Sequence, residues 1–191
     1  MIKIMLPTVI MIVGSLKKEK KMNILVLNGS PRPQGNTKHM IDAFCKGALS
    51  SENKVDVVDV CRKKINGCLA CEYCHTEGNG ACVQKDDMQE IYELLKNAEM
   101  LVIASPIYYH GISGQLKCVI DRFYSNLYPN NKTNIRKIAM FLASGSPNQY
   151  EGAKFSYEGD FTGYLGLEDI GIYTNYDKNV LENIRKLGER L

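Results

Sequence analysis

The chain has 191 residues, 45% of them hydrophobic, enough to bury one substantial core in a single soluble domain. Its formal net charge is +3, but the residues before Met22 carry five lysines against one glutamate, and the rest of the chain carries −1. A near-neutral domain without a Lys/Arg stripe has no electrostatic footprint for nucleic acid, which excludes that class of partner.

The first 21 residues begin with an apolar run too short to span a bilayer, and their basic cluster follows that run instead of preceding it. Neither a membrane span nor a signal peptide is expected. The hexapeptide Lys17 to Met22, "KKEKKM", can be encoded by purine-rich codons containing AAGGAG a few bases before ATG, which is how a bacterial ribosome-binding site reads when translated. Residues 1–21 are therefore expected to be a mis-assigned start or a disordered extension, and residues 22–191 the domain.

Short, mostly continuous apolar runs rich in β-branched residues recur at Ile24–Leu27, Val55–Val60, Met100–Ala104, Ile138–Ala143 and Ile170–Tyr173. Continuous runs predict strands buried on both faces. Between them lie helical periods: Met40, Ile41, Phe44 and Ala48; Met88, Ile91, Leu94, Leu95 and Ala98; Leu116, Val119, Ile120 and Phe123. Val180, Leu181, Ile184, Leu187 and Leu191 form the last. Asn36-Thr37, Asp86-Asp87 and Ser113 are the expected N-caps of the first three. A further helix is expected between Gly145 and Gly166, interrupted by Gly152, Gly159 and Gly163. Strands alternating with helices predict an α/β fold with a five-stranded parallel sheet covered on both faces.

In such a sheet, ligands bind beyond the C-terminal strand ends. After the first strand, "NGSPRPQGNT" offers Ser30, Asn36 and Thr37 as donors and Arg32 as a charged fork, at a helix N-terminus suited to a phosphate. An ordinary strand-to-helix connection accounts for Thr37 but leaves two prolines, two glycines and Arg32 unexplained. The loop has neither P-loop spacing nor G-x-G-x-x-G, so a mononucleotide is the better match. After the third strand, Pro106, Ile107, Tyr108 and Tyr109 form an apolar and aromatic edge on which a flat ring can lie. After the fourth, Ser144 and Gly145 are small enough for backbone to approach a ligand closely.

"LNGSPRPQGNT", "SPIYYHGISGQLKCVIDRF" and "LASGS" resemble the NAD(P)H-dependent FMN reductases of flavodoxin-like fold, from Met22 to the C-terminus. The resemblance implies a three-layer sandwich with strand order 2-1-3-4-5. It implies FMN with its phosphate at Ser30, Arg32, Asn36 and Thr37 and its ring beside Pro106, Ile107, Tyr108, Tyr109, Ser144 and Gly145. It further implies electron transfer from NAD(P)H through FMN to a quinone, free flavin or other small acceptor, by a homodimer or homotetramer. A flavin carries its own reactivity, and no hydrolytic triad or paired-carboxylate motif competes with it. His110, beside the ring edge, is either an exposed loop residue or a hydrogen-bond partner of ring or substrate. A non-catalytic electron carrier and a redox-sensing protein are the alternatives.

Seven cysteines without a convincing secretion signal predict a reducing cytoplasm. Cys45, Cys61 and Cys118 read as small core hydrophobes. Cys68, Cys71, Cys74 and Cys82 follow C-x2-C-x2-C-x7-C, and the first three repeat the spacing of ferredoxin loops. This pattern resembles the iron–sulfur flavoproteins, a branch of the same family, and implies a [4Fe-4S] cluster on those four residues, with a ferredoxin as a further electron donor. Free or redox-active thiols and a zinc site are the competing expectations.

Overall fold

A computed structural model describes residues 21–129 and 131–191; the expectation for the N-terminal extension lies outside them, apart from Lys21. Five strands, β1 (Asn23–Asn28), β2 (Lys54–Asp59), β3 (Met100–Pro106), β4 (Lys137–Ala143) and β5 (Glu168–Thr174), pair in parallel in the order β2-β1-β3-β4-β5. Every expected strand is present.

The apolar runs of the central strands β1, β3 and β4 are continuous because alternate residues enter two different cores. Burial on both faces, expected of all five, is corrected at the edges, where a strand has a neighbour on one side only: in β2 only Val58 is buried and in β5 only Thr174. Leu25, Leu27, Leu101, Ile103, Ile138, Met140 and Leu142 face one layer. That layer is built on α2 (Met88–Asn97), α3 (Gly114–Arg122), α4 (Tyr124–Leu127) and α5 (Glu151–Ser156). Ile24, Val26, Met100, Val102, Ala139 and Phe141 face the other, beneath α1 (Asn36–Ser50) and α6 (Val180–Glu189). Among the described residues no helix is long and apolar enough to cross a membrane.

One expected N-cap is corrected, and the structure specifies the other two. The first helix is preceded by Gly35 in an extended conformation, with no side-chain cap, so Asn36 and Thr37 belong to its first turn. Ser113 has the extended backbone of an N-cap, but its buried hydroxyl makes no cap bond. At α2 it is Asp86 whose Oδ1 accepts the Met88 N–H, at 3.2 Å, one residue earlier than the formal cap Asp87.

The interrupted helix takes a specific form. After α5 the chain continues as a wide π-helical stretch, Tyr157–Tyr164, in which the Leu165 N–H donates to the Asp160 carbonyl five residues back at 3.0 Å. A Cβ at Gly163 would stand 2.8 Å from the Glu158 carbonyl oxygen, so glycine admits the wide turn. Tyr157, fully buried, anchors the stretch to the sheet through its hydroxyl, which reaches the Ile138 carbonyl at 3.0 Å and Asp169 Oδ1 at 2.5 Å.

Two glycines set the closeness of α1 and α6. A Cβ on Gly47 would lie 2.0 Å from the Arg185 carbonyl oxygen, and one on Gly188 would lie 2.5 Å from the Ala48 nitrogen and 2.6 Å from the Phe44 oxygen. All are backbone atoms and cannot rotate away. Gly188→Ala should therefore push the helices apart and cost about 1–3 kcal/mol, as overpacking does, or roughly 2–12 °C in Tm. Thermal unfolding of the variant measures this, and an unchanged Tm would refute the close crossing.

Candidate functional site

The loop after β1 is wound tightly. Asn28 is buried; its Nδ2 donates to Asp59 Oδ1 at 2.8 Å and its Oδ1 accepts the Ser30 N–H at 3.0 Å. The Gly29 N–H continues the sheet to the Ala104 carbonyl at 2.8 Å, and the Gly29 carbonyl accepts the Cys61 thiol at 3.1 Å. A side chain at Gly29 would collide with Ser113 Oγ at 2.7 Å, so this glycine lets α3 close onto β1. The Ser30 hydroxyl accepts the Arg32 N–H at 3.3 Å. Ser30 is buried in the loop and Thr37 in the first turn of α1, and Arg32 and Asn36 stand exposed at the rim. The orphan N–H groups of α1 lack a side-chain cap. An uncapped helix of 15 residues, with hydroxyls inside and a guanidinium at the rim, has the donor set of an anion cradle.

The adjoining strand ends lie in register with this loop. Asn28 pairs with Ala104, and Pro106 with Ala143. Ser105 Oγ accepts the Ser113 N–H at 2.9 Å and donates to the Pro106 carbonyl at 2.7 Å. Tyr108 and Gly111 exchange backbone hydrogen bonds of 2.9 and 3.0 Å, closing a two-residue hairpin. Its central residues, Tyr109 and His110, have φ of 49° and 64°. Both occupy the left-handed region that type I′ turns demand and usually give to Asn or Gly, at a cost of roughly 1–2 kcal/mol per residue. The hairpin is held from outside: a Cβ on Gly152 of α5 would stand 2.6 Å from the His110 carbonyl oxygen, so backbone rests on backbone there. Tyr108 is 45% exposed and Tyr109 103% exposed. Within one chain the apolar edge therefore consists of Pro106, Ile107 and Tyr108, and Tyr109 projects into solvent beside an exposed His110.

At the end of β4, Ser144 is partly buried and Gly145 faces open space, with nothing within 4 Å of a Cβ placed there. Asn175, just past β5, pins this loop by accepting the Ser144 N–H at 2.8 Å and the Tyr150 hydroxyl at 2.9 Å. The Tyr176 hydroxyl adds a 2.9 Å bond to the Gly145 carbonyl. Sequence inspection missed these three supports, although Asn175 and Tyr176 directly follow a strand at the ligand edge. A separate apolar cleft of ≈ 430 Å³ begins beside the hairpin at Gly111 and Ile112. It runs over Met140 between α3–α4 and the π-helical stretch, along Phe123, Leu127 and Phe161.

The cysteine loop leaves the same sheet edge after β2. Ala70, Glu72, Asn79 and Gly80 all have positive φ, and the Gly80 N–H returns to the Cys74 carbonyl at 2.7 Å. The chain doubles back at these points. Cys68 and Cys71 are exposed, whereas Cys74 and Cys82 are half-buried. Burial pushes the Cys74 thiol up, and the neighbouring Cys82 and Cys68 add to the rise. Cys82 packs against the core. Of the three cysteines expected in the core, none is fully buried and only Cys45 packs against a core cluster. Cys61 instead serves as a donor to the phosphate-side loop. Four thiols suit an iron–sulfur cluster in kind and number. No three His, Cys, Asp or Glu side chains among the described residues stand close enough to hold a metal ion. His75 ties the loop to α4, its Nε2 lying 3.1 Å from the Tyr124 carbonyl and its ring edge-on to Tyr124 at 4.5 Å.

Comparison with known proteins bears on this edge. The NADPH-dependent FMN reductase family matches residues 22–174. An iron–sulfur flavoprotein of Methanocaldococcus jannaschii is 38% identical over 125 residues, which cover 65% of this chain and 62% of that protein. One from Archaeoglobus fulgidus is 35% identical over 135 residues, covering 69% and 60%. The chain thus spans about three fifths of the length of these curated relatives. Among solved structures, an NAD(P)H:quinone oxidoreductase from Methanothermobacter marburgensis shares the fold with a TM-score of 0.68 at 17% identity, over 90% of this chain and 96% of that one.

Proposed function

Because the chain belongs to the NADPH-dependent FMN reductase family, we propose that it is an FMN-dependent oxidoreductase that passes electrons from NAD(P)H or a ferredoxin to a quinone, flavin or other small acceptor. The observation that carries this reading is the uncapped N-terminus of α1, with Ser30 and Thr37 buried beside it and Arg32 on the rim. Flavin, when bound, supplies hydride and electron transfer. The chain's own residues do the rest. Ser30, Arg32, Asn36 and Thr37 would hold the phosphate. Pro106, Ile107 and Tyr108 would flank the ring and exclude water from one side, and the open face of Gly145 would admit its edge to the backbone. The apolar cleft opening at Ile112 suits a flat, apolar acceptor.

Cys68, Cys71, Cys74 and Cys82 would hold an iron–sulfur cluster, a centre that supplies single-electron transfer. Their spacing and the names of the iron–sulfur flavoprotein relatives support this assignment. The open separation of the thiols favours one alternative, a set of redox-active thiols. A homodimer or homotetramer is the proposed assembly, in which the projecting Tyr109 would find cover.

One preparation tests these assignments together. Anaerobically purified protein should contain FMN and not FAD, and iron and sulfide assays should separate cluster from thiols. Stopped-flow reduction by NADH, NADPH and reduced ferredoxin in turn should identify the donor. Protein that binds no flavin would overturn the reading.

A further inference from the structure

The sequence "DRF" closing α3 contains Arg122, for which flavin binding provides no task. It is 1% exposed and is the largest fully buried side chain among the described residues. A guanidinium so placed is costly unless charge and hydrogen bonds both answer it. Here both do. Its two terminal nitrogens donate to Asp86, Nη1 to Oδ2 at 2.9 Å and Nη2 to Oδ1 at 3.2 Å. Nη1 also donates to the Asn66 carbonyl at 3.1 Å, and Nε to the Tyr92 hydroxyl at 3.3 Å.

These partners stand at the two ends of one segment. Asn66 precedes Cys68 by two residues, and Asp86 follows Cys82 by four. Asp86 Oδ2 additionally accepts the Asn66 N–H at 3.1 Å. Alongside, the Lys64 N–H donates to Asp87 Oδ2 at 2.7 Å and Gln84 Nε2 donates to the Gly67 carbonyl at 3.0 Å. The entry and exit of the loop are thus fastened to each other and, through Arg122, to the end of α3. Between the fastened ends the chain has no strand and only the short 3-10 turn Tyr73–His75. Bringing the ends of such a loop together costs closure entropy, which a fixed stem offsets.

We infer that Arg122 is the positioning residue of the cysteine loop, joining its two stems from beneath so that the segment carrying Cys68, Cys71, Cys74 and Cys82 is held at the ligand edge of the sheet. The inference deepens the proposed function, since it rests on that loop being the protein's second redox site. Lysine is a poor substitute, because one ammonium cannot present a planar fork to Asp86 while also reaching Asn66 and Tyr92.

The test uses full-length, FMN-loaded protein with Arg122→Lys, and with Arg122→Met combined with Asp86→Asn, which removes both charges and leaves neither buried alone. Three quantities are read: bound FMN, iron per chain after anaerobic purification, and the rate of tryptic cleavage after Lys64 in the entry stem, whose scissile bond neither variant alters. Loss of a charge-assisted clamp should raise cleavage by about tenfold or more in the double variant and less in Arg122→Lys. Iron should fall and FMN stay. Unchanged cleavage in both variants would overturn the inference whatever the iron content. Concerted loss of FMN and loop protection in both would also overturn it, by making Arg122 a support of the whole domain. If the wild-type protein holds no iron, the cluster assignment fails, and the cleavage rates still decide the role of Arg122.

Discussion

Arg32→Ala should weaken FMN binding by roughly ten- to a hundredfold, the equivalent of about 1.5–3 kcal/mol for a charge-assisted hydrogen bond. The guanidinium sits on the exposed rim of the loop, where salt screens it, so the loss should lie near the lower figure and shrink as ionic strength rises. Thr37 is different. It is buried in the first turn of α1, and Thr37→Val conserves its shape while deleting the hydroxyl, so its effect should be largely independent of salt. Fluorescence titration with FMN measures both. Riboflavin, which lacks the phosphate, provides the control: its affinity should be the same in wild type and variants. Equal losses for FMN and riboflavin would place these residues away from the phosphate.

The central strands were legible because they obey one constraint. Ile24 and Val26 enter one core while Leu25 and Leu27 enter the other, so every position in such a strand must be apolar. The phosphate-side loop was legible for a related reason, since Ser30, Arg32, Asn36 and Thr37 are contiguous and their chemistry is local. What could not be read depends on contacts distant in sequence. The cap of α1 is an exception, missed although its cause is local: the loop before it turns on a bond from Gly35 N–H to the Arg32 carbonyl, 3.4 Å, which the preference for Asn or Thr does not reveal. The left-handed Tyr109 and His110 contradict turn propensity and persist because the hairpin is closed by Tyr108 and Gly111 and seated on Gly152. The burial of Arg122, at the end of α3, follows from Asp86, 36 residues earlier.

Replacing Cys71 with serine should empty the cysteine loop of iron and leave FMN in place. Cys71 is exposed, so the substitution should change folding stability by no more than about 0.5 kcal/mol. Cys82 would be a poorer choice, because it packs against the core and its loss would confound ligation with packing. A serine hydroxyl is harder and far less acidic than a thiol, and it does not replace thiolate on iron. Anaerobic wild-type protein should hold about four irons and four sulfides per chain, as other four-cysteine sites do, and Cys71→Ser close to none. FMN content should not change, because the phosphate-side residues lie after β1, on a segment that the cysteine loop does not cap. Cys45→Ser, on α1 in the opposite layer, should keep its iron and so exclude a general effect of cysteine loss. The decisive contrast is between two outcomes for the wild-type chain prepared in iron-replete, anaerobic conditions. Iron that vanishes only with the loop cysteines establishes a cluster. Iron-free protein that still turns over with NADPH would instead assign Cys68, Cys71, Cys74 and Cys82 to thiol chemistry, and Cys71→Ser would then alter thiol oxidation while sparing flavin reduction.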